Sequence, residues 1–214
     1  MKYLSTIILL LTAVLTGSLW SQGSPELRGP LPEWKDQYTM DQVETAVFAG
    51  GCFWGVEGVY EQLKGVLDVH SGYAGGSEKT AHYNMVSSGA TGHAESVQII
   101  YDPSIISYKT LLEVFFTVAH DPTQLNYQGP DRGTQYRSAI FYVNEQQRQE
   151  AERYIKADKR DIVTLVSPLK KFYMAEKYHQ DFMRLNPDYP YIRYWDLPKI
   201  VELKAQYPEL LAQP

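Results

Sequence analysis

From residue 43 onward the chain switches repeatedly between two hydrophobic periodicities, and this restricts it to folds that lay helices against a sheet. Val43 to Ala49 reads as a strand running into Gly50-Gly51, after which Phe53, Val56, Tyr60 and Leu63 recur at helical spacing. Gly65 closes that helix. Val66 to Tyr73 reads as a second strand ending near Gly75-Gly76, and Glu95 to Tyr101 alternates as a third, stopped by Asp102-Pro103. Ser107 is a candidate N-cap for an apolar helix through Leu111, Leu112, Phe115 and Val118. Ser138 to Val143 is a further strand, and Asn144, with Gln147 three residues on, opens a polar helix in the manner of a capping box. Ile162 to Val166 is short and β-like; helical patterns return at Ala175 to Leu185 and at Lys199 to Tyr207. This order predicts an α/β (α+β) sandwich, a mixed sheet with helices packed on it, and it suits a ferredoxin-like plan.

The first 42 residues read differently. Lys2 precedes an apolar run of about a dozen residues and a small-residue exit, the pattern of a secretory signal over 1–22. The run is shorter than the roughly 20 residues a spanning helix needs. It therefore predicts an exported protein, periplasmic or secreted, with no stable membrane insertion after cleavage. Residues 23–42, with Pro25, Gly29, Pro30 and Pro32, read as a linker, 43–208 as the folded domain and 209–214 as a tail. A net charge of -5 gives no reason to expect nucleic acid as a partner.

Cys52 is the single cysteine of 214 residues, so no internal disulfide can form. The strand before it ends at the glycines, which puts Cys52 at the start of the following helix. Unpaired N–H groups and the helix dipole there favour negative charge, an environment expected to lower a thiol pKa. A buried, inert thiol is an equally open fate. Glu95 shares the parity of Val97, Ile99 and Tyr101 and should face the apolar side of the sheet, where desolvation favours the neutral acid. A neutral carboxyl is a proton donor; a glutamate that escapes to solvent or pairs with a base is the alternative. The loop Gly129 to Ser138, with two glycines, a proline and many hydrogen-bonding side chains, leads into a strand, a common place for function.

Four motifs occur in order: Gly51-Cys52-Phe53-Trp54-Gly55, Gly72-Tyr73-Ala74-Gly75-Gly76, Thr91-Gly92-His93-Ala94-Glu95 and Gly133-Thr134-Gln135-Tyr136-Arg137-Ser138. Together with His120-Asp121-Pro122 and Tyr178-His179-Gln180 they resemble the A-type peptide methionine sulfoxide reductases, over about residues 43 to 207. The resemblance implies a ferredoxin-related sandwich acting on the S epimer of methionine sulfoxide, free or in proteins and peptides. It implies Cys52 as nucleophile, Glu95 as the acid that protonates the sulfoxide oxygen, and Tyr83 and Tyr136 as hydroxyls bonded to that oxygen. Phe53 and Trp54 match the walls around the S-methyl group, and Asp131 a loop residue beside the pocket.

No metal or bound cofactor is implied, and the five histidines show no ligand spacing. One departure stands out. Many relatives carry resolving cysteines, whereas the segment Asp188 to Pro214 has none and Ser87 stands where some have cysteine. A Cys52 sulfenic acid would then need an external reductant, either a thioredoxin-like protein or a small thiol. Two other classes compete: a cysteine-dependent acyl-transfer enzyme with a histidine base, and a secreted non-catalytic binding domain.

Overall fold

The computed structural model describes residues 24–31 and 33–212, and the expected signal segment lies outside them. The core is a six-stranded sheet of β1 (Glu44–Gly50), β2 (Val66–Ala74), β3 (Ala94–Tyr101), β6 (Ser138–Tyr142), β7 (Leu165–Pro168) and β8 (Phe172–Met174), in the order β7-β6-β1-β3-β2-β8. Only the β6–β7 pairing is parallel; β1–β3, β1–β6, β2–β3 and β2–β8 are antiparallel. The inner four strands, β6-β1-β3-β2, are those of the ferredoxin-like plan. Helix α1 (Phe53–Glu61) carries the chain from β1 to β2, and α3 (Tyr108–Val114) carries it from β3 towards β6.

Period-two alternation sorts the strand residues between two faces. Ala46 and Phe48 of β1, Val97, Ile99 and Tyr101 of β3, and Ile140 of β6 join Val56, Val59, Tyr60, Leu111 and Leu112 of the helices in one large core. Val47, Ala49, Ala74, Ala94, Ala139 and Phe141 form a thin second cluster on the opposite face, covered by Leu169 and Phe172. The remaining helices, α4 (Glu145–Ala157), α5 (Phe182–Leu185) and α6 (Leu197–Gln206), place Ala151, Met183, Ile200 and Leu203 in the large core. The sandwich thus has one helical layer on one side of the sheet.

Both expected N-caps form. Ser107 Oγ accepts from Thr110 N at 3.1 Å, and Asn144 Oδ1 accepts from Gln147 N at 2.9 Å. The capping box is modified: Gln147 Oε1 accepts from Val143 N, and its Nε2 donates to Thr45 O, tying the helix start to β1. The helix after Ser107 loosens into π-type turns over Phe115–Ala119.

Three expectations need correction. The strand expected at Ile162–Val166 lies at Leu165–Pro168, because it pairs in parallel with β6 and register follows the partner. The helix expected over Ala175–Leu185 is broken: β8 precedes it, a 3₁₀ turn covers Lys177–His179, and Asp181 at φ 56 separates that turn from α5. Phe182 stacks on Trp54 of α1 and Met183 lies against Gly58, while before the break the His179 ring lies against Phe53. Finally, the expected linker is partly built in. Trp34 is buried and its indole donates to Asp68 Oδ2 at 3.1 Å, while Arg28 donates to the Glu61 and Leu63 carbonyls at the end of α1.

Candidate active site

In an antiparallel sheet the C-terminal ends of β1 and β2 share an edge with the starts of β3 and β6. Gly50 pairs with Ser138 and Tyr73 with Glu95. The four separate motifs therefore meet at one edge, with α1 beginning there. Cys52 is the N-cap residue of α1 and is partly exposed. The chain reaches it through Gly51 at φ +95, where a Cβ would lie 2.6 Å from the Gln128 side chain; glycine is required on both counts.

Glu95 is 2% exposed, at the core-facing parity expected of it. Its Oε2 accepts from Phe53 N at 3.1 Å, taking up the first free N–H of α1 beside Cys52. Desolvation dominates its titration: burial raises the carboxyl to about 8, the Phe53 N–H opposes this, and Asp131 adds to it. At pH 7 Glu95 is a carboxylic acid.

The thiol behaves otherwise than the helix start suggests. Burial pushes Cys52 well above its ordinary value, with the acidic groups Glu95, Asp196 and Asp131 adding, and only the Trp54 backbone N–H opposing. The reason is local. The Phe53 N–H that could have helped a thiolate is taken by Glu95, and the thiol is desolvated among acids. A neutral Glu95 repels little, so burial is the larger part of the effect. In the free protein Cys52 is a thiol.

Tyr83, on α2 (Tyr83–Val86), and Tyr136 are half-buried, and desolvation raises both phenols, with Glu95 next in each case. Both hydroxyls stay protonated and stand in the field of Glu95 and Cys52. Tyr136 is held by its neighbours: Gln135 Nε2 donates to Ser87 O, Thr134 Oγ1 to Gly89 O, and Arg137 to the Gly92 and His93 carbonyls. Asp131 comes from a short hairpin of β4 (Tyr127–Gln128) and β5 (Asp131–Arg132), and its carboxylate accepts from the Tyr191 hydroxyl.

Phe53 is buried against Tyr73 and His179, at ring distances of 5.9 and 4.9 Å. Trp54 stacks on Phe182 at 3.8 Å, meets Tyr189 and Tyr191 edge-on, and donates its indole N–H to His179 Nδ1 at 3.1 Å. All seven residues expected at the site lie around this edge.

Four further residues had been given no role in it: Glu176, Tyr191 and Asp196, and His179, of which only the motif Tyr178-His179-Gln180 had been noted. Asp196 is fully buried, with its Oδ1 on Lys199 Nζ at 3.1 Å and in the space a Gly55 side chain would occupy. Only the pairing of i and i+3 charges in Asp196-Leu197-Pro198-Lys199 hinted at this.

The three buried histidines are all engaged elsewhere. His120 is bonded to Phe115 O and Ser138 Oγ and held neutral by burial, at about 3. His93 is bonded to Gly76 N and Ser77 O, and His179 serves Trp54. A helix-start thiol, a neutral buried acid and phenolic donors on a ferredoxin-like sandwich define a thiol oxidoreductase that delivers protons rather than an acyl-transfer enzyme.

A protein-family model described as peptide methionine sulfoxide reductase matches residues 44–210, and the chain belongs to that family. It is 57% identical over 176 residues to peptide methionine sulfoxide reductase MsrA 2 of Mesorhizobium japonicum, covering 79% of this chain and 90% of the relative. It is 52% identical over 174 residues to MsrA 2 of a Synechocystis species, covering 78% and 81% respectively. Among solved structures it resembles reduced Mxr1 of Saccharomyces cerevisiae, with TM-score 0.65, 35% identity and 72% and 91% of the two chains covered. It also resembles methionine sulfoxide reductase A of Corynebacterium diphtheriae, with TM-score 0.63, 34% identity and 75% and 84% covered. The protein is an oxidoreductase of sulfoxide sulfur.

Proposed function

We propose that this protein reduces the S epimer of methionine sulfoxide in oxidised peptides and proteins through a sulfenic acid on Cys52, and so repairs them. One observation carries the mechanism: a carboxyl protonated up to about pH 8 is bonded to the backbone N–H of the residue after Cys52. Sulfoxide oxygen is a poor leaving group until it gains a proton. Glu95 supplies that proton, and the Tyr83 and Tyr136 hydroxyls donate to the oxygen as charge develops. The Cys52 sulfur attacks the sulfoxide sulfur as the thiol proton passes to the Glu95 carboxylate that gave up its own. In the adduct the new S–S bond and the S–O bond break while the hydroxyl oxygen bonds to the Cys52 sulfur. One sulfoxide and one thiol become one thioether and one sulfenic acid. Trp54 and Phe53 wall the S-methyl group, and Asp131 stands beside them.

The cycle closes outside the chain. Leu210 O and Ala212 N are hydrogen-bonded to Lys64 N and Gln62 O, at the far end of α1 and roughly 14 Å along it from Cys52. That segment carries no cysteine and is tied away from the site. Two equivalents of an external thiol, from a thioredoxin-like protein or a small molecule, then return Cys52 to thiol and release water and a disulfide. The N-terminal pattern supports export, which places that reductant outside the cytoplasm.

Without reductant, a sulfoxide peptide should yield one methionine per enzyme and leave Cys52 reactive to dimedone. A chain that produced neither would not be this enzyme.

A further inference from the structure

His179 is 2% exposed and sits in the short turn Lys177–His179, a different element from the strand and helix that carry Glu95 and Cys52. Its Nδ1 accepts the Trp54 indole N–H at 3.1 Å. An indole nitrogen only donates, so Nδ1 must be bare and the ring proton must sit on Nε2. That Nε2 is buried and has no partner. The same ring lies 4.9 Å from Phe53, 4.5 Å from Tyr83 and 4.3 Å from Tyr178. One imidazole therefore touches both apolar walls and one oxygen-binding phenol. The flanking residues clamp it: Glu176 accepts from Tyr83 N and the Tyr73 hydroxyl, and Gln180 bonds Ser71 N and Ser71 O.

We propose that His179 is a positioning residue that works only in its neutral Nε2–H form, holding the Trp54 wall of the methyl pocket and tying substrate affinity to pH. A second proton would have to go onto Nδ1, where it would face the indole N–H and break the bond. The titratable groups around the ring are Glu176, Tyr83 and Tyr178; only Glu176 favours the cation, and it is already engaged by two donors. Desolvation prevails, and the imidazole titrates below its ordinary value. Above that point the wall is fixed; below it Trp54 is released while Cys52 and Glu95 stay in place. The predicted consequence is a KM that rises with acidification at nearly constant kcat, the signature of lost uniform binding.

The kinetic arm rests on the reductase reading; a spectroscopic arm does not. In full-length protein labelled with ¹⁵N at tryptophan, the Trp54 Nε1–H resonance is assigned by its loss in Trp54→Phe. It should be protected from exchange at pH 7.5 and lose protection as the pH is lowered through the range below the ordinary imidazole value. His179→Phe keeps a ring and removes the acceptor; it should lose that protection at every pH and raise KM about tenfold, the scale of one buried hydrogen bond. His179→Asn keeps an acceptor near Nδ1 and cannot titrate, so the bond should survive and the acid rise in KM should disappear. An indole resonance unchanged in His179→Phe overturns the proposal, as does a wild-type acid limb in His179→Asn. Should His179→Phe fail to fold, the His179→Asn profile decides. If wild type releases no methionine while the indole results hold, it is the reductase reading that fails.

Discussion

Glu95 shows how much one residue's surroundings can do. An ordinary glutamate is ionised at pH 7 and could not protonate a sulfoxide; buried at 2% exposure with one N–H partner, this one holds its proton to about pH 8. The rate of methionine release in a single turnover should therefore fall as pH rises through about 8. Glu95→Gln removes the acid and should slow that step by about 10²–10⁴-fold, the usual contribution of general acid catalysis, and abolish the alkaline limb. Stopped-flow quench measurements from pH 6 to 9.5 would check this, and an unchanged limb in the variant would assign it to another group. Cys52 has a matching consequence. A thiol held above its ordinary value reacts slowly with general alkylating agents at pH 7, so its speed must come from the bound sulfoxide rather than from a standing thiolate.

At the scale of elements, α1 is set against its neighbours by two glycines that no helix propensity would select. Met183 lies against Gly58, and Asp196 Oδ1 lies 2.0 Å from where a Gly55 Cβ would be. Alanine normally gains up to about 1 kcal/mol over glycine inside a helix. At Gly55 the clash is with a buried carboxylate bound to Lys199, and overpacking of this kind costs about 1–3 kcal/mol. Gly55→Ala should thus lower the urea midpoint despite its better propensity. A gain in stability would mean that Asp196 can move away freely.

Across the molecule, α1 also buries two acids remote from the chemistry. Glu57 is raised to about 8 and Glu61 to about 9, in each case chiefly by desolvation, and Asp181 and Arg184 stand beside them. Their ordinary value is 4.5, so between that pH and 8–9 the folded protein binds more protons than the unfolded chain. Stability from these groups is complete below 4.5 and is lost as pH rises through 8 to 9. The thermal midpoint should fall on going from pH 6 to 9. Glu57→Gln with Glu61→Gln should flatten that fall; an equally steep fall in the double variant would place its origin elsewhere.

The fold class was legible because strand and helix periodicities are local, and the inner strands and both N-caps stand within a residue or two of where they were expected. Cys52 and Glu95 stood out by position and parity, and Tyr83, Tyr136, Phe53, Trp54 and Asp131 were expected through the family resemblance; the fold brings all seven near one edge of the sheet. β8, the β4–β5 hairpin and the broken stretch before α5 were not, because strands and turns of two to four residues carry too little periodicity to register. Nor were Trp34 and Asp196, whose roles depend on partners 34 and 141 residues away in the chain; His179 stood within a recognised motif, but its bond to Trp54, 125 residues away, did not show. The amino-acid sequence by itself determined which groups are available for chemistry and which layers they belong to. Their protonation was decided only by tertiary structure: a helix start that should favour a thiolate gives its Phe53 N–H to Glu95 and is desolvated among acids, so the acid keeps its proton and Cys52 keeps its own.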